Sequence, residues 1–159
     1  MASFILCLLP ALLATTRAQG SLTCETCYGL AETCQAAPGT CAVTKGVGGC
    51  RSVAGESTLG GTKTSLFSKE CVPDYNSGIN VPITFTVGNG MYLRLNASRC
   101  NDTDNCNSAV LDVPQRNINL NGRQCPTCFV LNSGSCTTQV TPCTGDEIHC
   151  IDFTGQILK

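Results

Sequence analysis

The cysteines of this chain repeat in register, and that repetition limits the available folds more than any other feature. Cys24, Cys27, Cys34, Cys41, Cys50, Cys71, Cys100 and Cys106 are separated by two, six, six, eight, twenty, twenty-eight and five residues. Cys125, Cys128, Cys136, Cys143 and Cys150 restart the series with two, seven, six and six. Each member of the second set stands 100 to 102 residues after its counterpart in the first. A fixed internal period sets the number of structural units. Here there are two, and the second is the shorter.

With 14 Cys in 159 residues, no Trp, 5 Phe and 3 Tyr, each unit has little to bury except sulfur. Small domains with so small a core are held by covalent staples. The formal charge of -1 and pI near 5.7 leave no basic footprint for nucleic acid or an anionic membrane. Phe4 to Ala14 is an apolar run of eleven residues, the length of a signal-peptide core and too short to span a bilayer. Cleavage after Ala18 or Gly20 fits the small residues that follow. Removal of Cys7 with that segment leaves thirteen cysteines (14 − 1), an odd number for an oxidising compartment. The chain therefore reads as secreted and extracellular.

Between the cysteines the sequence reads as strands and turns. Gly46, Gly48 and Gly49 forbid a helix over Val43 to Cys50. From Thr62 to Cys71 side chains alternate, with Lys63, Ser65, Phe67 and Lys69 on one face and Thr64, Leu66 and Ser68 on the other. Gly60-Gly61 is expected to turn this strand back from the Arg51–Ala54 segment. The clearest hairpin is Ile83–Val87, then Gly88-Asn89-Gly90, then Met91–Leu95, β-branched and aromatic residues around a turn that supplies positive φ. About six short strands and no helix are expected in the first unit. Asn96-Ala97-Ser98 and Asn101-Asp102-Thr103 are sequons, so Asn96 and Asn101 are expected to carry N-glycans.

The spacing of the first set, with Cys106 followed directly by Asn107, resembles the three-finger superfamily of the urokinase receptor and lymphocyte-antigen proteins. That resemblance implies an all-β, disulfide-rich unit, a bridged knot from which three β-hairpin fingers project. It implies the bridges Cys24–Cys50, Cys27–Cys34, Cys41–Cys71 and Cys100–Cys106, a choice that eight cysteines alone leave open among 105 pairings. The pair that usually clips finger three is absent, and Arg99 stands where its second member is expected. Cys125-Pro126-Thr127-Cys128, Cys143-Thr144-Gly145 and His149-Cys150 extend the likeness to the two-domain secreted branch of gamma-type phospholipase A2 inhibitors and sodefrin-precursor-like pheromone proteins. In the second unit it implies Cys125–Cys150 and Cys128–Cys136 and leaves Cys143 unpaired. A chain that stops early, a bridge to another molecule and a remodelled tail each account for that thiol. The expected organisation is a signal peptide over 1–20, a three-finger domain over 21–111, a linker over 112–124 and an incomplete second three-finger domain over 125–159.

No catalytic constellation and no metal site is expected. Two Cys-x-x-Cys motifs need reduced thiolates to hold zinc, which an oxidising compartment denies them. His149 has no motif that places a nucleophile beside it. Asp102, Asp104 and Asn105 lack the glycine and distal glutamate of a calcium loop. No cofactor is called for. Gly155 to Lys159 is not an apolar tail, so no membrane anchor is expected. The resemblance implies a binding protein with a protein partner, either a secreted phospholipase A2 that it inhibits or a receptor that it signals to as a pheromone-type protein. Family inhibitors often oligomerise. Contacts are expected at the finger tips, Ala54–Gly61 and Gly88–Gly90.

Closing a loop of about 15 residues removes roughly 3 kcal/mol of unfolded-chain freedom. Four such bridges operate on the scale of a whole domain's stability, roughly 5–15 kcal/mol. Full reduction is therefore expected to unfold the first unit, read as loss of the far-ultraviolet β signal, whereas survival of that signal would show that bridges are not what holds it.

Overall fold

The computed structural model describes residues 20–29, 34, 39–78, 81–131 and 134–152. The expected signal peptide, apart from Gly20, and the tail from residue 153 lie outside the described residues. Six strands form one sheet: β1 (Ser21–Gly29), β2 (Gly39–Thr44), β3 (Gly49–Ser57), β4 (Thr64–Val72), β5 (Ile83–Thr86) and β6 (Tyr92–Cys100). Their order is β2-β1-β4-β3-β6-β5, and every pairing is antiparallel. The hairpins β1–β2, β3–β4 and β5–β6 are three fingers side by side. A separate ladder, β7 (Leu120–Thr127) with β8 (Gln139–Thr144), repeats the first finger. The chain is all-β, a three-finger unit followed by an incomplete second copy.

Local sequence explains the elements. Around Gly88–Gly90 the chain reverses in a single 3₁₀ turn in which Asn89 has φ 63° and Gly90 φ 71°. Those are left-handed values that Asn and Gly tolerate best. Strand β7 begins at Leu120, inside the stretch read from sequence as linker, because Asn121 ties its start to the far hairpin end by donating to the carbonyls of Gly145 (3.0 Å) and Glu147 (3.1 Å). Pro126 and Pro142 stand in β7 and β8, where each removes a ladder donor. Such residues belong to sheet edges.

The core sits at the base of the fingers and is largely sulfur. Leu22 (1% exposed), Cys24 and Cys50 (both 0%) form its centre, with Cys41, Val43, Cys71, Cys100 and Cys106 packed on it. Cys24 is bridged to Cys50, Cys27 to Cys34, Cys41 to Cys71 and Cys100 to Cys106. Burying Leu22 contributes about 2 kcal/mol. Asn107 then stitches the loop after β6 to the sheet. Its Oδ1 accepts from the Glu25 N–H (3.0 Å) and its Nδ2 donates to the Glu25 carbonyl (2.9 Å) and to that of Arg51 (3.4 Å).

Beyond Asn107 the chain does not leave the sheet. It runs back as an extended strap, first against Lys69 of finger two and then along one face of finger three. Lys69 Nζ donates to the Ser108 carbonyl (2.6 Å), Asn96 Nδ2 to that of Asp112 (2.9 Å) and Arg94 Nη1 to that of Pro114 (2.6 Å). The Arg116 guanidinium lies 4.5 Å from the centre of the Tyr92 ring. From Asp112 onward each two-residue step of the strap meets the next inward-facing residue of β6, Asn96, then Arg94, then Tyr92, as a period of two requires.

Three ion pairs, two of them sharing Glu56, lie on that covered face. Glu56 and Arg94, each 8% exposed, meet through Oε1 and Nη2, with the Tyr92 hydroxyl donating to the same oxygen and Lys63 Nζ 2.6 Å from Oε2. Lys69, 6% exposed, reaches Glu25 Oε2 at 2.7 Å. Burial alone would raise the Glu56 pKa, but hydrogen bonds from Lys63, Tyr92 and Arg94 outweigh it and hold the carboxyl at about 2, against an ordinary 4.5. A depressed carboxyl stabilises the fold fully above its unfolded value and loses that contribution as pH falls through the folded one. The melting temperature should therefore hold from about pH 7 to about pH 5 and drop between about 4.5 and 2. Glu56→Gln should remove that part of the drop. Glu56→Ala, which strands Arg94, should cost about 3 kcal/mol in a denaturant titration at neutral pH. A pH profile identical in wild type and Glu56→Gln would contradict this assignment.

Candidate binding surface

The register of the ladders sorts the finger side chains onto two faces, because residues directly opposite one another share a face. Cys50, Ser52, Ala54 and Glu56 of β3 lie opposite Cys71, Lys69, Phe67 and Ser65 of β4 and opposite Cys100, Ser98, Asn96 and Arg94 of β6. This is the face under the strap. Phe67 is 2% exposed there and Ala54 2%.

The opposite face carries Val53, Leu66, Ala97, Leu95, Ile83, Leu93 and Phe85, in register across four strands. All seven are half-buried, neither sealed nor fully exposed. Gly55 holds them level: a Cβ at that position would stand 2.5 Å from Leu95 Cδ2, so the absent side chain lets Leu95 lie flat across β3. Tyr28, opposite Ser68 on the same face, is 67% exposed. Polar contacts border this apolar strip at the base, where Arg51 pairs with Glu70 through Nε at 2.9 Å and Arg99 Nη1 donates to the Tyr75 carbonyl at 2.7 Å. An apolar centre with a polar rim is the ordinary anatomy of a protein-binding patch.

The finger tips expected from sequence to make contacts are placed differently. Ala54 to Ser57 lie within β3, so only the turn beyond Ser57 projects from finger two. The tip of finger three is already occupied. Gly88 is buried, with the Gln139 side-chain amide of β8 in the space a Cβ would take, and Thr86 Oγ1 donates to Glu147 Oε1 at 2.6 Å. The second unit thus rests on finger three. Nothing local in Gly88-Asn89-Gly90 signals this, because its partners lie some fifty to sixty residues on.

The remaining singled-out residues fall into place. Asn96 points to the strap side, away from the apolar strip, and Asn101 follows β6 in the loop closed by Cys100–Cys106. In the second unit Cys125 is bridged to Cys150 and Cys128 to Cys136, while Cys143 is free and buried. Sulfurs that cluster tightly enough to hold a metal, Cys24 with Cys41 and Cys71 and Cys50 with Cys100 and Cys106, are those of the bridged knot. His149 is exposed, and among the described residues no hydrogen bond joins it to a Ser or an Asp. A shallow hollow of about 420 Å³ beside β2 is lined by Gly20, Ser21, Ala42, Val43, Thr44 and Pro73, which supply no acid–base pair. Among the described residues no helix is long and apolar enough to cross a membrane.

Comparison with known proteins agrees with this architecture. The family model of the u-PAR/Ly-6 domain matches residues 20–109 and again 121–158. Protein RoBo-1 of Rattus norvegicus is 33% identical over 61 residues, 38% of this chain and 25% of that protein. A gamma subunit of the phospholipase A2 inhibitor of Laticauda semifasciata is 33% identical over 58 residues, 36% of this chain and 32% of that protein. The matched segments thus span a third or less of those relatives' lengths. No solved structure matches.

The apolar strip predicts a specific energetic asymmetry. Phe67→Ala, on the covered face, should cost about 3 kcal/mol or more. Phe85→Ala, half-exposed on the strip, should cost about half that or less. Chemical denaturation of both variants checks it, and equal losses would contradict the assignment of faces.

Proposed function

The chain belongs to the u-PAR/Ly-6 domain family, and from that premise we propose that it is a secreted, non-catalytic binding protein that inhibits a secreted phospholipase A2 by direct contact. The observation that carries the reading is the half-exposed apolar strip of Leu66, Val53, Ala97, Leu95, Leu93, Ile83 and Phe85. The similarity to the gamma subunit of a phospholipase A2 inhibitor supports a secreted phospholipase A2 as the partner of the strip. An enzyme that works on lipid aggregates must present an apolar surface to them. A flat apolar sheet face with a charged border is suited to cover such a surface, desolvating it without any chemistry.

Several expectations belong to this reading. Residues 1–20 act as a signal peptide, and the bridges form in the oxidising secretory route. The first domain covers residues 21–111, and the second, from 125 onward, follows the linker. Glycans on Asn96 and Asn101 complete the secreted form. A glycan on Asn96 would leave from the strap side, so it would not obstruct the strip.

Purified, oxidised protein should inhibit at least one of a panel of secreted phospholipases saturably and with a defined stoichiometry. Leu93→Glu and Phe85→Glu should each weaken that inhibition at least roughly tenfold, about 1.4 kcal/mol. Val47→Ser, in an exposed turn at the base, should not. Absence of inhibition across the panel would instead favour a secreted pheromone-type signal acting on a receptor. Inhibition that survives both strip substitutions would move the contact elsewhere.

A further inference from the structure

The six-stranded sheet ends on β2, and the outer edge of that strand is unlike the other edges among the described residues. At the opposite end β5 is four residues long, follows directly on Pro82 and has its tip covered by the second unit. β7 and β8 each carry a proline. Very short edge strands, prolines, charges and docked neighbours all keep another strand from adding to a sheet. β2 is six residues long and reads Gly39-Thr40-Cys41-Ala42-Val43-Thr44, with no charge, no proline and three β-branched residues. It carries none of those safeguards.

The hydrogen bonds show which main-chain groups of β2 face outward. Antiparallel pairs alternate between residues that exchange bonds and residues that turn their groups away. One step beyond the ladder the Lys45 N–H donates to the Gly20 carbonyl at 2.8 Å, so Val43 and Cys41, two and four residues back, turn toward β1. β1 agrees. Thr23 and Glu25, opposite Ala42 and Thr40, use their main chain on the far side, at Asp104, Asn105 and Asn107. Thr40 and Ala42 therefore present N–H and C=O to the outside, and Thr44 presents its N–H. The Thr44 carbonyl already accepts from Gly48 at 2.9 Å. The side chains of Thr40, Ala42 and Thr44 are small and exposed, and the shallow hollow beside Ala42 and Thr44 leaves the approach open.

We propose that this edge is a homodimer interface, at which β2 of a second copy of the chain adds antiparallel across a two-fold axis at Ala42. Outward groups stand only on the even-numbered residues, and a two-fold axis at Ala42 pairs even with even: Ala42 with Ala42, and Thr40 with Thr44. The two alanines exchange both N–H···O bonds, and each Thr44 N–H donates to the Thr40 carbonyl of the other copy. Cys41 of one copy comes opposite Val43 of the other, which covers the half-buried side of the strand. The same register sets Lys45, the first charge beyond β2, against Gly39, so the two lysines stay apart and neither meets a side chain. The strand is thus complementary to itself in bonds, bulk and charge, which is what selects a second copy as its occupant. Pairing consumes both β2 edges and leaves the guarded β5 edges at the ends, so assembly closes at two. β1 separates this edge from the apolar strip, and dimerisation is independent of what the strip binds.

The test is sedimentation of the full, oxidatively folded chain over a concentration series. The wild type should show a reversible monomer–dimer equilibrium. Ala42→Lys and Ala42→Glu each set like charges opposite one another at the axis. Each should raise the dimer dissociation constant at least about tenfold while leaving the far-ultraviolet spectrum and the bridges unchanged. An equal mixture of the two should restore the dimer, because a cation then meets a carboxylate. A wild type that stays monomeric, variants that dimerise as the wild type does, or a mixture that stays monomeric would each overturn the proposal. Amide hydrogen exchange of the wild type needs no substitution. Protection of the Ala42 N–H should rise with protein concentration, and exchange there that ignores concentration would rule out this edge as the contact.

Discussion

Everything in the first unit depends on the packing of disulfide sulfur against a single leucine. Leu22, Cys24 and Cys50 are sealed from solvent, and the bridged sulfurs around them take the place that aromatic side chains hold in larger cores. A chain with no Trp and only 13% charged residues has few other ways to fix six short strands. The bridges act mainly by limiting the unfolded chain. That frees the finger side chains from supplying most of the stability, and an apolar strip can then remain partly exposed at no great cost.

The strap gives the sheet two unlike faces. One side is closed by main-chain carbonyls received by Lys69, Asn96 and Arg94, with Glu25 and Glu56 balancing the buried cations. A buried ion pair of this kind is weak evidence for net stability, because desolvation offsets much of the attraction. Its effect here is positional: it decides which face the strap covers. The other face keeps its apolar side chains half-buried. The same strap delivers the second unit to the tip of finger three, where Gln139 and Glu147 close on Gly88 and Thr86.

Fold class, the count of two units and the six strands of the first were legible because cysteine spacing and period-two alternation are local signals. The polarity of the faces was not. Lys63, Ser65, Phe67 and Lys69 read as barely different from Thr64, Leu66 and Ser68, yet Phe67 and Lys69 are among the most buried residues. Lys69 is buried because Glu25 and the Ser108 carbonyl receive it, partners about forty residues away on either side. The strap is hidden in the sequence for a related reason. It is held by its carbonyls, which every residue has, so its polar side chains make it read as a plain connection. The finger-three tip reads as free because a turn sequence carries no record of what docks on it.

The two faces of the finger sheet differ: one buries Phe67, Lys69 and Arg94 beneath the strap, and the other leaves its apolar side chains half-buried. Two phenylalanines on opposite faces, Phe67 and Phe85, provide an internal comparison within identical side-chain chemistry. Hydroxyl-radical footprinting of the native, oxidised chain, read residue by residue by mass spectrometry, measures their accessibility directly. Phe85 should be strongly oxidised and Phe67 almost completely protected. Equal oxidation of the two, or protection of Phe85 with exposure of Phe67, would contradict this difference between the faces.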